Sequence, residues 1–129
     1  MSETITKKVT LEDIIKRKDE LQKSKNKTVK IYIESLDGYV VANKPDRALI
    51  ADAHDMDNAI ESNIHLVTNC IVEPNLKDKE AQEVFGAYTP KEFLQAILND
   101  GEISYIAEEL IEQAGYKKGN VRLVQDIKN

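Results

Sequence analysis

An α+β fold, mostly a helical bundle with an N-terminal helix and one β-hairpin packed on it, is predicted by three observations. Apolar residues recur at helical spacing from Pro45 onward, strict alternation is confined to residues 28–43, and aromatics make up only 5% of the chain, with no Trp. Such a core must be built from Leu, Ile, Val and Ala, which suits helices packed through aliphatic stripes. At 129 residues the chain is long enough for one core. The expectation is a single domain over residues 1–116 and a C-terminal tail over 117–129.

The first helix opens at Thr10, which can cap "LEDIIKRKDELQK", with Asp13 at N3 and Val9 placed to pack on Ile14 as a hydrophobic staple. Leu11, Ile14, Ile15 and Leu21 form a narrow stripe, and the lysines of "KSKNK" suit the negative end of the helix dipole. In "TVKIYIES", Val29, Ile31 and Ile33 share one face and Lys30, Tyr32 and Glu34 the other. "YVVAN" returns across a turn containing Asp37-Gly38. Two strands alone are marginal in water, so helices must cover the apolar face, and one edge is left to pair with another chain.

Beyond Pro45 only helices are expected. Pro45 fits N1 of a helix carrying Leu49, Ile50, Ala53 and Met56. Ile60, Ile64, Val67 and Ile71 define the next, ended by Pro74. Asp78 caps a short helix through Ala81, Val84 and Phe85, closed by Gly86. Thr89, Pro90 and Glu92 form a capping box for "TPKEFLQAIL", which ends at Asp100-Gly101. The last helix, "EISYIAEELIEQA", sets Ile103, Ile106, Ala107, Leu110, Ile111 and Ala114 on one face and stops at Gly115. The expected core comprises Ile14, Ile31, Ile33, Leu49, Ile64, Val67, Ile71, Phe85, Leu94, Ile106 and Leu110, with Phe85 the anchor of the corner from Pro74 to Gly86.

The sequence offers little chemistry. Cys70 is the single cysteine, which excludes an internal disulfide, and its apolar setting predicts an inert thiol. His65 lies five residues away, on another helix face. His54-Asp55 are adjacent in a helix and do not face each other. A calcium loop started at Asp55 would need Gly where Ile60 stands and Glu where Leu66 stands. "GYKKGN" lacks phosphate-loop spacing, and Glu108, Glu109 and Glu112 form a solvated face. No catalytic, cofactor or metal residues are expected. Residues 1–45 carry +3 and residues 46–129 carry −8, for a net −5, which gives no footprint for nucleic acid. No run is apolar for the roughly 18 residues of a membrane span, and "MSETITKKVTLED" has no signal-peptide core, so a cytosolic protein is expected.

In order, "IIKRKDELQKSKNKT", "SLDG", "KPDRALI", "NCIVEPNLKDKEAQEVFG", the "TP" start with "FLQAIL", and "GEISYIAEELIEQAGY" resemble the XkdN-like tail assembly chaperones of long-tailed phages and phage-derived particles. The likeness spans roughly residues 10–116, and "NCIVEPNLKD" is its most specific piece, because helical periodicity alone would not produce it. The resemblance implies a non-catalytic assembly factor in the bacterial host cytoplasm. Such a factor binds the tape-measure protein, keeps it soluble, recruits tail-tube subunits and is absent from the finished tail. Two other readings are a tail adaptor or completion subunit retained in the particle, and a small nucleic-acid-binding regulator using Lys16, Arg17, Lys18 and Lys23. Partner contacts are expected at the hairpin's free edge and at Val121, Leu123, Val124 and Ile127, with the tape-measure protein or a second copy of the chain as occupant.

Overall fold

The computed structural model describes residues 7–23 and 27–126. They fall into two compact units, one formed by Lys27–Tyr116 and the other drawn from the stretches on either side of it. The fold is α+β, with helices dominating a small antiparallel sheet.

Within the unit Lys27–Tyr116, alternation produces the hairpin as expected. Strands β1 (Thr28–Ile33) and β2 (Gly38–Asn43) pair antiparallel, with Ile31 facing Val40 and Ile33 facing Gly38. A single 3-10 turn over Glu34–Leu36 connects them, and Asp37 rather than Gly38 takes the left-handed conformation, with φ 53°. Asp tolerates this region better than most side chains. Ile33, Val40 and Ala42 are buried, and Val29 and Ile31 pack partly against the same core.

The hairpin is not alone, and the expectation of helices only beyond Pro45 is corrected. Ile71–Glu73 form a third strand, β3, antiparallel to β2, giving the order β1-β2-β3. The helix of Ile64 and Val67 therefore ends at Cys70 rather than at Pro74. Ile71 takes extended backbone at its C-cap, and the chain leaves as a strand with a buried Ile71 side chain.

Side-chain caps set the helix starts. Asp46, not Pro45, opens α3 (Arg47–His54), its carboxylate accepting from Leu49 N–H at 2.8 Å. Asn58 caps α4 (Ala59–Cys70) and Asp78 caps α5 (Lys79–Val84). Gly86, at φ +68°, lets its own N–H reach the Glu83 carbonyl and that of Ala87 reach Gln82, which closes α5 as expected. Thr89 caps α6 (Pro90–Ile97), but only half of the expected box forms, because the Glu92 carboxylate accepts from Tyr88 N–H. That helix does not run to Asp100-Gly101. Leu98 turns extended, and Asn99 with Glu102 makes a full capping box for α7 (Asp100–Ile111). A π-helical turn, Glu112–Tyr116, follows α7 and is broken at Gly115, φ +105°.

The core sits where α4 meets α7, α6 and α3. Ile64, Leu66, Val67, Leu94, Ile103 and Leu110 are fully buried there. Ser62 Oγ donates to the Ala53 carbonyl at 2.7 Å, tying α3 to α4. Gln82, also buried, donates through Nε2 to the Leu76 carbonyl at 2.7 Å and so fixes the corner before α6. Phe85 is corrected: it caps the end of α5, is 50% exposed, and meets the buried Phe93 with ring centroids 5.5 Å apart. Leu49 is partly rather than fully buried, and Ile60 is exposed.

In the other unit, Thr10 is the cap as expected, and with Asp13 it forms a full capping box, with bonds of 3.0 and 3.1 Å. The single helix expected there is two: α1 (Leu11–Lys16) and α2 (Lys18–Lys23), separated at Arg17 by a non-helical backbone. Arg17 N–H falls back on the Ile14 carbonyl, and its guanidinium pairs with Glu20 at 3.0 Å. Ile14 is exposed, which corrects its place in the expected core.

Candidate partner-binding surfaces

Large apolar side chains at the surface, rather than reactive groups, distinguish this chain. Among the described residues no group of His, Cys, Asp and Glu is placed to hold a metal, and no helix is long and apolar enough to cross a membrane. Cys70 is buried, and burial, aided by the charge of Asp46, pushes its thiol up to about 11. Few thiolates exist there near neutral pH, so it is a poor nucleophile. His65 serves the helix, its carbonyl accepting from Asn69 Nδ2 at 2.8 Å.

The expected tail residues are exposed. Val121 is 92% accessible, Leu123 and Val124 are also exposed, and Ile127 lies outside the described residues. Val124 begins one 3-10 turn, Val124–Asp126. The basic set Lys16, Arg17, Lys18 and Lys23 is interleaved with acids. Lys16 meets Glu12 at 3.7 Å and Arg17 meets Glu20, which spends part of its positive charge within the helices.

Three further surfaces stand out, of which the hairpin's free edge was expected as a partner contact and the other two were not. On α1 and α2, Leu11, Ile14 and Ile15 stand exposed, and Ile14, Ile15 and Leu21 line an apolar cleft of about 300 Å³. At the corner between α5 and α6, Val84, Phe85 and Tyr88 project outward, Tyr88 being 82% accessible. The open edge of β1 forms a groove of about 450 Å³ with α7, lined by Val29–Tyr32, Glu109 and Gln113. The stripe of α1 was visible as periodicity. Its exposure was not, because burial depends on what the fold brings against it.

The stretch "NCIVEPNLKD" proves architectural. Cys70, Ile71 and Leu76 are buried, and Asn75 folds the turn by accepting from Lys77 N–H at 3.0 Å. It lines a cleft of about 320 Å³ with Thr68 and Pro90. A family model described as the phage XkdN-like tail assembly chaperone protein matches residues 2–128. No curated protein and no solved structure matches the chain.

Proposed function

The chain belongs to the phage XkdN-like tail assembly chaperones, and from that premise we propose that it binds the tape-measure protein in the host cytoplasm. There it covers the apolar stripes of that long helical chain, keeps it soluble, recruits tail-tube subunits to it, and leaves before the tail is complete. On this reading its work is binding and release, not catalysis. The observation that carries the reading is the set of large aliphatic side chains at the surface, Leu11 and Ile15 on α1 and Val121, Leu123 and Val124 in the tail. An apolar helix laid against such residues removes its stripe from water, and the short contacts allow reversal.

The test is co-expression with a tape-measure protein from the same phage or prophage. The full chain should raise the soluble yield of that protein and co-purify with it. Deletion of residues 117–129 should weaken co-purification while leaving the thermal unfolding of the chaperone unchanged. If the tape-measure protein is equally soluble with and without the chaperone, the reading is wrong. A truncated chain that binds as the full one does would move the site from the tail to α1.

A further inference from the structure

The hairpin register fixes which backbone groups of β1 face the open edge. Lys44 N–H donates to the Lys27 carbonyl, so the hydrogen-bonded pairs of the hairpin are Lys27 with Lys44 and then every second pair, Val29 with Ala42, Ile31 with Val40 and Ile33 with Gly38. The N–H and carbonyl groups of Thr28, Lys30 and Tyr32 therefore point away from β2, and β1 has no other strand beside it among the described residues. Such a row is a template for another extended chain. We propose that it is a homodimer interface, in which β1 pairs antiparallel with β1 of a second copy about a two-fold axis through Ile31, joining two three-stranded sheets into one of six strands. This does not depend on which tail protein the chaperone binds.

The side chains choose both occupant and register. An incoming strand must keep its apolar residues on the helix side, so residues facing each other are of the same parity. For two copies of Thr28–Ile33, two such registers pair five residues with five. One sets Lys30 directly opposite the partner's Lys30, and like charges in that position repel. The other sets Lys30 opposite the partner's Tyr32, an ammonium beside an aromatic ring. Lys30 already makes that kind of contact in its own chain, with Nζ 5.1 Å from the Tyr39 ring centre. In this second register Ile31 faces Ile31 and Val29 faces Ile33, which extends the half-covered apolar row of each copy over the other. The groove beside β1, lined by Glu109 and Gln113 as well as by the strand, leaves this edge open to the second copy.

The decisive variant is Ile31→Cys in the full chain. Non-hydrogen-bonded antiparallel partners lie about 4.5 Å apart at Cα, within reach of a disulfide. Mild oxidation should convert it to a covalent dimer, while Val29→Cys alone stays uncrosslinked, as does the parent chain with its buried Cys70. Light scattering of the parent chain should give twice 14.6 kDa. Tyr32→Pro removes an N–H that points to the open edge and leaves the hairpin ladder intact, so it should yield a folded monomer by scattering and circular dichroism. If Tyr32→Pro unfolds the chain, crosslinking of Ile31→Cys decides alone. A monomeric parent chain that does not crosslink at Ile31 overturns the proposal. So does a dimer untouched by Tyr32→Pro, or crosslinking only when the Ile31→Cys and Val29→Cys chains are mixed.

Discussion

Val67 and Cys70 stand on the inward face of α4, at 0% and 1% exposure, and each makes a prediction at the scale of one side chain. Val67→Asp buries an unpaired carboxylate and should cost several kcal/mol, on the order of 3–5, read as a lost or strongly lowered unfolding transition. Because burial raises the Cys70 thiol from 9.0 to about 11, the folded state favours the neutral form. That contribution is complete below pH 9.0 and is lost as pH rises through about 11. Denaturation midpoints should fall across that interval, less so in Cys70→Ser, and a thiol reagent at pH 8 should label the native protein only as fast as it unfolds. Phe85 behaves differently. With half its surface in water, Phe85→Ala should cost roughly 1–2 kcal/mol rather than the 3–5 of a buried ring, a difference that urea denaturation resolves. Val67 was legible because Ile64, Val67 and Ile71 share one period. Phe85 was not, since a cap residue before a left-handed glycine leaves the helix direction, and periodicity does not say where its side chain goes.

At the scale of elements, caps were legible and the strand after α4 was not. Thr10, Asp78 and Thr89 are each the residue that accepts from the N3 amide, because capping is chemistry between residues three apart. β3 is three residues long, and its Ile71 continues the apolar period of α4, so local pattern reads it as helix. Only its pairing with Val41 and Ala42 makes it a strand. A still longer separation in sequence hides the contact between Ser35 and Glu102, where the hairpin loop meets the start of α7 and the hydroxyl donates to the carboxylate. That bond, with the Asn99 amide, holds the Glu102 carboxyl below its ordinary 4.5. A lowered carboxylate stabilises the fold above its unfolded value, and the effect is lost as pH falls through the folded one. The melting temperature of the parent chain should therefore exceed that of Ser35→Ala near neutral pH, and the two should converge as pH drops below 4.5. A gap that stays constant into acid would show that the hydroxyl acts through packing instead.

For the whole molecule, the division of labour between buried and exposed apolar residues leads to the last prediction. Every buried hydrophobic side chain among the described residues lies between Ile33 and Leu110, and α1 and α2 bury none. The two N-terminal helices have six residues each, well under the roughly 12–15 that an isolated helix needs in water. The cohesive energy of the chain is thus concentrated in Lys27–Tyr116. The sequence showed the aliphatic faces and the stretch that marks the family, but it could not show that the Ile14 stripe lies outside this core, because the same amphipathic pattern serves a buried face and a binding face alike. A fragment of residues 27–116 should fold cooperatively, with a helical and sheet spectrum and a melting temperature within several degrees of the full chain. On the proposed function it should also fail to keep the tape-measure protein soluble, since it lacks both Leu11 and Ile15 and the tail of Val121, Leu123 and Val124. Measuring both properties on one fragment separates them: a fragment that unfolds would place part of the stability in the flanks, and one that still solubilises the tape-measure protein would place the binding surface at β1 or at the Phe85 and Tyr88 corner.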